Sequence, residues 1–154
     1  MHNDAKVIEG LNGLLADATV FYQKLRHYHW NVGGRDFFTL HEKFELLYTA
    51  WAVSIDQVAE RILTIGGVPL HTLQSMLKES RLQEDETLPA AADMVAETAA
   101  DLRRLGERVA EVTDAAEEIG DRGTANLMDD LQDALEKEIW MLSAWKSEAA
   151  RAWT

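Results

Sequence analysis

The sequence predicts an all-α chain: a four-helix bundle whose second and third helices are joined by one long crossover carrying a short helix. Three observations lead there. Apolar residues recur at three- and four-residue steps through four separate stretches. Glycine- or proline-marked breaks separate those stretches. The middle break runs for roughly 22 residues, too long for a simple turn between neighbours. A chain of 154 residues can bury most of its apolar surface in one core, so residues 1–154 are read as a single domain.

Leu11, Leu14, Leu15, Ala18, Tyr22 and Leu25 mark the first helix, about residues 4–32, and Asn31-Val32-Gly33-Gly34 stops it. Asp36 stands where an N-cap would open the second helix, about 36–66. That helix carries Leu40, Phe44, Leu47, Tyr48, Ala52, Ile55, Ala59, Ile62 and Leu63 before Gly66-Gly67-Val68-Pro69 ends it. Residues 67–88 lack a sustained pattern and lie between the only two prolines, with Leu73–Leu77 able to form a short helix. Pro89 suits the first turn of a third helix, whose stripe of Met94, Val95, Leu102, Leu105, Val109 and Val112 reaches about Ile119. After Gly120-Asp121-Arg122-Gly123, a fourth helix, about 124–151, follows Leu127, Leu131, Leu135, Ile139 and Leu142. Short links force antiparallel neighbours, whereas the long segment can run the length of a bundle. An up-and-down bundle with that segment folded as a flap explains the same periodicity, so both topologies stand at this point.

Composition narrows the chemistry. With no cysteine, any transition metal must be held by imidazole and carboxylate. Asp plus Glu outnumber Lys plus Arg by 27 to 15, a formal net charge of −12, so the average field attracts cations and repels nucleic acid. No basic leader with an apolar run opens the chain and no 18 apolar residues occur in succession, which leads us to expect a soluble, cytoplasmic protein.

The chemistry therefore rests on five histidines and the surplus carboxylates. His29 falls near the end of the first helix and His41 near the start of the second, while Asp56 and Glu60 stand one turn apart further along the second. Each residue taken singly has an ordinary reading as a packed or solvated side chain, and Glu60 adjoins Arg61. As a set they are the donors that iron prefers. At about 1.5 Å per residue, His41 and Asp56 lie roughly 22 Å apart on one helix and cannot share an ion. The chain also contains no Glu-x-x-His pair, the motif of a di-iron site inside a bundle. If the histidines form one half-site and the carboxylates the other, a two-fold axis would complete two sites per dimer.

These residues carry a family resemblance. Tyr22-x-Lys24-x-Arg26-x-x-His29-Trp30-Asn31-Val32-x-Gly34, then Phe38-x-Leu40-His41-x-x-Phe44-Glu45-x-Leu47-Tyr48, then Asp56-x-x-Ala59-Glu60-Arg61-Ile62 with Gly66-Gly67-x-Pro69, closely resemble the Dps family of ferritin-like mini-ferritins. Glu136-Lys137-x-Ile139-Trp140-Met141-Leu142 is similar as well. The resemblance implies a ferritin-like fold, a homo-oligomeric hollow dodecamer, and ferroxidase centres between subunits that oxidise iron(II) with hydrogen peroxide or dioxygen, peroxide being preferred. The iron(III) product is then stored as mineral, which protects against oxidative damage.

Carried over position by position, His29, His41, Asp56 and Glu60 match the catalytic metal ligands, and Glu45 an acidic secondary ligand. Trp30 matches an electron donor, Glu42 and Glu45 nucleation carboxylates, and Asp121, Asp129 and Asp130 an acidic pore; each also has a plain packing, solvation or helix-start reading. His2, His27 and His71 match no ligand position. Trp140, Met141, Trp145 and Trp153 are expected to pack the bundle or subunit contacts. The segments flanking the outer helices are not rich in Lys or Arg, so DNA binding is not expected. A helical oligomer with a structural or DNA-shielding role and little catalysis is the competing reading.

Overall fold

A computed structural model describes residues 4–146 as five helices: α1 (Ala5–Asn31), α2 (Phe37–Thr64), α3 (Leu73–Glu79), α4 (Ala91–Glu118) and α5 (Arg122–Lys146). His2, Trp153 and the expected last turn of the fourth helix, 147–151, lie outside the described residues.

The contacts between helices settle the topology. Lys6 pairs with Glu118 and Lys24 with Glu97 and Asp101, so α1 and α4 are antiparallel. Lys43 pairs with Glu138 and Arg61 with Asp121, so α2 and α5 are antiparallel too. With α1 and α2 joined by a short link, α2 and α4 must point the same way. The crossover therefore spans the bundle from end to end, and the flap alternative is excluded.

Its path is fixed along α1. The Asn12 side chain donates to the Val68 carbonyl and accepts from the Leu70 N–H. Asp17 accepts from Ser80 Oγ and the Arg81 N–H. Tyr28 donates to Asp85, and His27 Nε2 donates to the Thr87 carbonyl. Those anchors advance from residue 12 to residue 28 of α1, roughly 24 Å of helix.

Helix ends follow local chemistry. Both α2 and α4 close in the same six-residue wrap: Gly67 N–H to Ile62 O and Gly66 N–H to Leu63 O in one, Asp121 N–H to Ala116 O and Gly120 N–H to Glu117 O in the other. Gly66 at φ +87° and Gly120 at φ +72° take the left-handed position that this wrap requires. Thr72 caps α3 by accepting from the Ser75 N–H. Asp36 does occupy the N-cap of α2, but its side chain accepts no capping bond. The expectation for Pro89 is corrected: α4 begins at Ala91 with Ala90 as N-cap, leaving Pro89 just before the helix.

The core is one cluster drawn from all four long helices, including Leu11, Leu14, Phe21, Leu25, Phe44, Ile62, Leu102, Leu105, Val112 and Met128. Its polar members are paired. Buried Asp17 accepts from Arg108 Nε at 2.9 Å, and buried Lys24 meets Asp101 at 2.7 Å. Burial lifts the Asp101 carboxyl above its ordinary range despite the opposing pull of Lys24 and Arg104. Gly13 is small because Arg108 needs the space: a Cβ there would sit 2.5 Å from the guanidinium.

Candidate metal centre

The end of α1 and the start of α2 place His29 and His41 face to face, their rings stacked at 3.8 Å between centroids and 13° between planes. Each ring is held by the other's backbone. His29 Nδ1 lies 2.7 Å from the His41 carbonyl, and His41 Nδ1 lies 2.6 Å from the His29 carbonyl. A carbonyl oxygen only accepts, so both Nδ1 atoms donate, which leaves Nε2 as the ring atom able to bind a metal. This is how proteins commonly prepare histidine for a metal, by fixing tautomer and ring orientation with a backbone acceptor. His29 is buried and His41 half-buried, and Phe37 stacks on His41 at 4.9 Å.

Asp56 and Glu60 sit elsewhere, exposed on α2. At about 100° per residue, Phe38, Leu46, Val53 and Leu63 fall within a sector of roughly 100° on α2, with Asp56 and Glu60 inside it. Those four apolar residues are 82%, 60%, 57% and 59% exposed. The carboxylates are thus embedded in an uncovered apolar stripe. Glu42 and Glu45, both exposed, fall in the same sector, and Glu45 lies one turn after His41. Among the described residues, no three His, Cys, Asp or Glu side chains converge on one point in a single chain.

The donors present, two imidazoles fixed through Nδ1 and exposed carboxylates on α2, are of the kind that suits iron(II). The structure brings His29 and His41 together and leaves Asp56 and Glu60 apart from them, as the 15-residue spacing requires.

The remaining sequence candidates divide. Trp30 is 56% exposed, with Arg26 4.9 Å from its ring centre. Asp121 is engaged structurally: Oδ1 accepts from the Thr124 N–H at 3.0 Å and from Arg61 at 2.6 Å, which caps α5 and holds the Asp121 carboxyl below its ordinary range. Burial opposes that shift, and the bonds from Thr124 together with the Arg61 charge outweigh it. Asp129 and Asp130 are exposed on α5. Trp145 packs against the core, whereas Trp140 is 65% exposed.

His27, assigned no role from sequence, ties α1 to the crossover. Beside it, Tyr28 donates to Asp85 at 2.7 Å. Burial and that bond push the Tyr28 hydroxyl well above its ordinary pKa, and Asp85 falls to about 2, chiefly through Thr87 and then Tyr28.

Sequence reasoning missed Tyr48. It stands seven residues after His41 on the same face of α2, and its ring meets the His29 ring edge-on at 5.4 Å. Its hydroxyl points toward Glu45 Oε1 at 3.4 Å, and the ring of Tyr22 lies 5.8 Å away. The two-turn spacing from His41 was the available signal.

Comparison with known proteins identifies the family of this fold. A family model for the ferritin-like domain matches residues 8–152. The DNA protection during starvation protein of Brevibacillus brevis is 44% identical over 135 residues, which cover 88% of this chain and 91% of that one. General stress protein 20U of Bacillus subtilis is 39% identical over 140 residues, 91% of this chain and 97% of its own. Among solved structures, the Dps protein of Vibrio cholerae O1, described as a member of a broad superfamily of ferritin-like diiron-carboxylate proteins, superposes with a TM-score of 0.90 at 38% identity, covering 92% of this chain and 89% of that one. Sequence, helix order and structural likeness together make this chain a member of the ferritin-like domain family and, within it, of the Dps proteins.

Proposed function

We propose that this chain is a ferroxidase subunit that oxidises iron(II), with hydrogen peroxide preferred over dioxygen, at sites completed by a second copy, and stores the iron(III) mineral inside a hollow dodecamer in the cytoplasm. The observation that carries this reading is the reciprocal lock of His29 and His41, which fixes both rings through Nδ1 and leaves both Nε2 atoms available as ligands.

Iron enters as substrate. Nε2 of His29 and of His41 binds it from one chain, while Asp56 and Glu60 of the partner subunit bind it from across the interface, with Glu45 as a further carboxylate. The exposed stripe of Phe38, Leu46, Val53 and Leu63 supplies the apolar surface that a second copy would cover. Imidazole binds iron(II) without adding charge; carboxylates favour the iron(III) product. Two iron(II) ions each give one electron to one peroxide, which takes up two protons and leaves as two waters. Because both electrons arrive together, no hydroxyl radical is released. Glu42 and Glu45 serve the growing mineral, and Asp129 and Asp130 lie on the acidic route inward.

The names of several relatives refer to DNA protection. In this chain we assign that protection to iron and peroxide removal. A twelve-copy shell carries twelve times the −12 charge of one chain and repels a polyanion. Retardation of DNA at micromolar protein, low salt and no divalent cation would overturn that assignment.

The direct test loads iron(II) anaerobically, adds peroxide and follows iron(III) absorbance. The variant combining His29→Ala, His41→Ala, Asp56→Ala and Glu60→Ala should lose the reaction; equal rates would leave the structural reading in its place. Sharing has its own signature. Co-assembling a His29→Ala/His41→Ala chain with an Asp56→Ala/Glu60→Ala chain regenerates one intact site per mixed dimer, so random mixing should restore about a quarter of wild-type activity. No restoration would mean that both halves come from one chain.

A further inference from the structure

The two halves of the histidine lock rest on unequal supports. His29 Nδ1 donates to the His41 carbonyl, which belongs to the second turn of α2 and is held by the ladder of that helix. His41 Nδ1 donates to the His29 carbonyl, which lies in the last turn of α1. The backbone bond that closes α1 runs from the Val32 N–H to the Tyr28 carbonyl, one residue short of His29. A carbonyl in a terminal turn is free to take such a bond, but terminal turns also fray. The aim of the His41 ring therefore depends on how firmly the end of α1 is held.

The crossover holds it. Tyr28 donates to Asp85 Oδ2 at 2.7 Å, and His27 Nε2 donates to the Thr87 carbonyl at 2.9 Å. Asp85 Oδ1 accepts in turn from the Thr87 N–H at 2.9 Å and from the Thr87 hydroxyl, so residues 85–87 form one closed turn. Within the last turn of α1, Asn31 Nδ2 donates to the His27 carbonyl at 3.0 Å. The Tyr28 ring meets Phe44, one turn after His41 on α2, at 5.7 Å. Both side chains directly before His29 are thus tied to a segment 57 and 60 positions later in the chain.

Building on the iron(II)-oxidising reading above, we propose that Asp85 is a positioning residue for the metal centre: with Thr87 it braces the last turn of α1, and through the His29 carbonyl it fixes where His41 Nε2 points. Asp85 does not touch iron; it acts on a ligand through the backbone on which that ligand leans. The crossover supplies its own contrast. Its other end is gripped by Asp17, which accepts from Ser80 Oγ and the Arg81 N–H. Asp17 precedes His29 by 12 residues, about 18 Å of helix, so freeing that end loosens the crossover without loosening the lock.

The probe is cobalt(II), which takes the same donors and has visible absorption bands sensitive to them, titrated into the assembled full-length protein. In wild type the bands should grow with binding, and the His29→Ala/His41→Ala variant should lose them. Asp85→Ala should weaken cobalt(II) binding about 10-fold, the low end of the range for outer partners of ligating histidines, and shift the bands. Asp85→Asn should recover most of the affinity, because its amide oxygen can still accept from Thr87 and its N–H can donate to the Tyr28 hydroxyl. Tyr28→Phe should fall between wild type and Asp85→Ala. Asp17→Ala should lower stability yet leave affinity and bands unchanged in the folded, assembled protein. Wild-type affinity and bands in Asp85→Ala overturn the proposal, and so does an equal loss in Asp17→Ala, which would assign the effect to general loosening. If sedimentation shows that Asp85→Ala does not assemble, Tyr28→Phe decides, with unchanged cobalt(II) binding sinking the idea. Iron(II) and peroxide given to wild type separate the two levels of inference. Absence of iron(III) absorbance there overturns the iron-oxidising reading and this one with it; normal absorbance with cobalt(II) binding indifferent to Asp85 overturns this one alone.

Discussion

The seam between α1 and α4 and the outer face of α2 are built in opposite senses. The seam is internal and carries charge: Asp17, Lys24, Asp101 and Arg108 are all buried there, each with an ionic partner. The α2 face is external and carries Phe38, Leu46, Val53 and Leu63 in the open. Buried charge of this kind adds little net stability over an apolar pair, but it makes wrong arrangements expensive. Asp17 in particular fixes where the crossover lies. Exposed apolar surface has the reverse meaning, because it is a cost to an isolated chain that a second copy would remove.

The largest effect should come from putting charge on the outer face. Leu46→Glu leaves a residue that is 60% exposed in the chain, so the helix should form normally. Across a two-fold axis it would bury two unpaired carboxylates, at several kcal/mol each. Sedimentation should show dissociation, and iron(II) oxidation should fall in parallel. An assembled, inactive variant would break the link between that face and the site.

The seam comes next. Asp17→Ala strands a buried guanidinium and removes the acceptor for Ser80 and Arg81, for a loss of about 3–5 kcal/mol in denaturant unfolding. Assembly of the folded protein should be unaffected, in contrast to Leu46→Glu.

A smaller effect is expected where the crossover meets the histidine end. Tyr28→Phe removes the hydrogen bond to Asp85 and should cost about 1 kcal/mol. Asp85 titrates at about 2 in the folded chain, below the usual carboxylate range, so its contribution is present at neutral pH and fades as pH falls through that range toward 2. Without Tyr28 its folded value should rise, although the Thr87 bonds, the larger cause, still hold it down. Amide exchange of residues 82–88 should then quicken at a higher pH than in wild type. The smallest change is Thr72→Ala. It removes the cap of the seven-residue α3 at a cost of about 1 kcal/mol or less, read as faster exchange in α3 alone.

Much of this fold was legible in the sequence because apolar spacing and glycine stops report directly on helices. Among the described residues, the four long helices, the short helix in the crossover and the breaks fell close to where those signals put them, with the Pro89 start the exception. Topology was less accessible, since periodicity says nothing about direction. Asn12, Asp17 and Tyr28, which hold the crossover along α1, are polar residues whose partners lie at least 56 positions away. At the site, residue identity and spacing were enough to suggest His29, His41, Asp56 and Glu60. The lock between the two histidines was not readable, because its acceptors are backbone carbonyls present at every position. Asp121 carried two readings for a related reason. An acidic residue at a helix start can line a pore or cap the helix, and only the bonds from Thr124 and Arg61 show that it caps α5.

The pairing of Asp17 with Arg108 spans 91 positions of chain, and this has a consequence during synthesis. At about 5–20 residues per second, roughly 5–20 s separate the appearance of the two on the ribosome. From the completion of α2 at Thr64 until Arg108 is made, Asp17 has no guanidinium partner and the apolar stripe of α2 is uncovered. The nascent chain is therefore most in need of a chaperone early in translation, and codons that slow the ribosome between positions 17 and 108 should lower the yield of native protein more than equally slow codons after them.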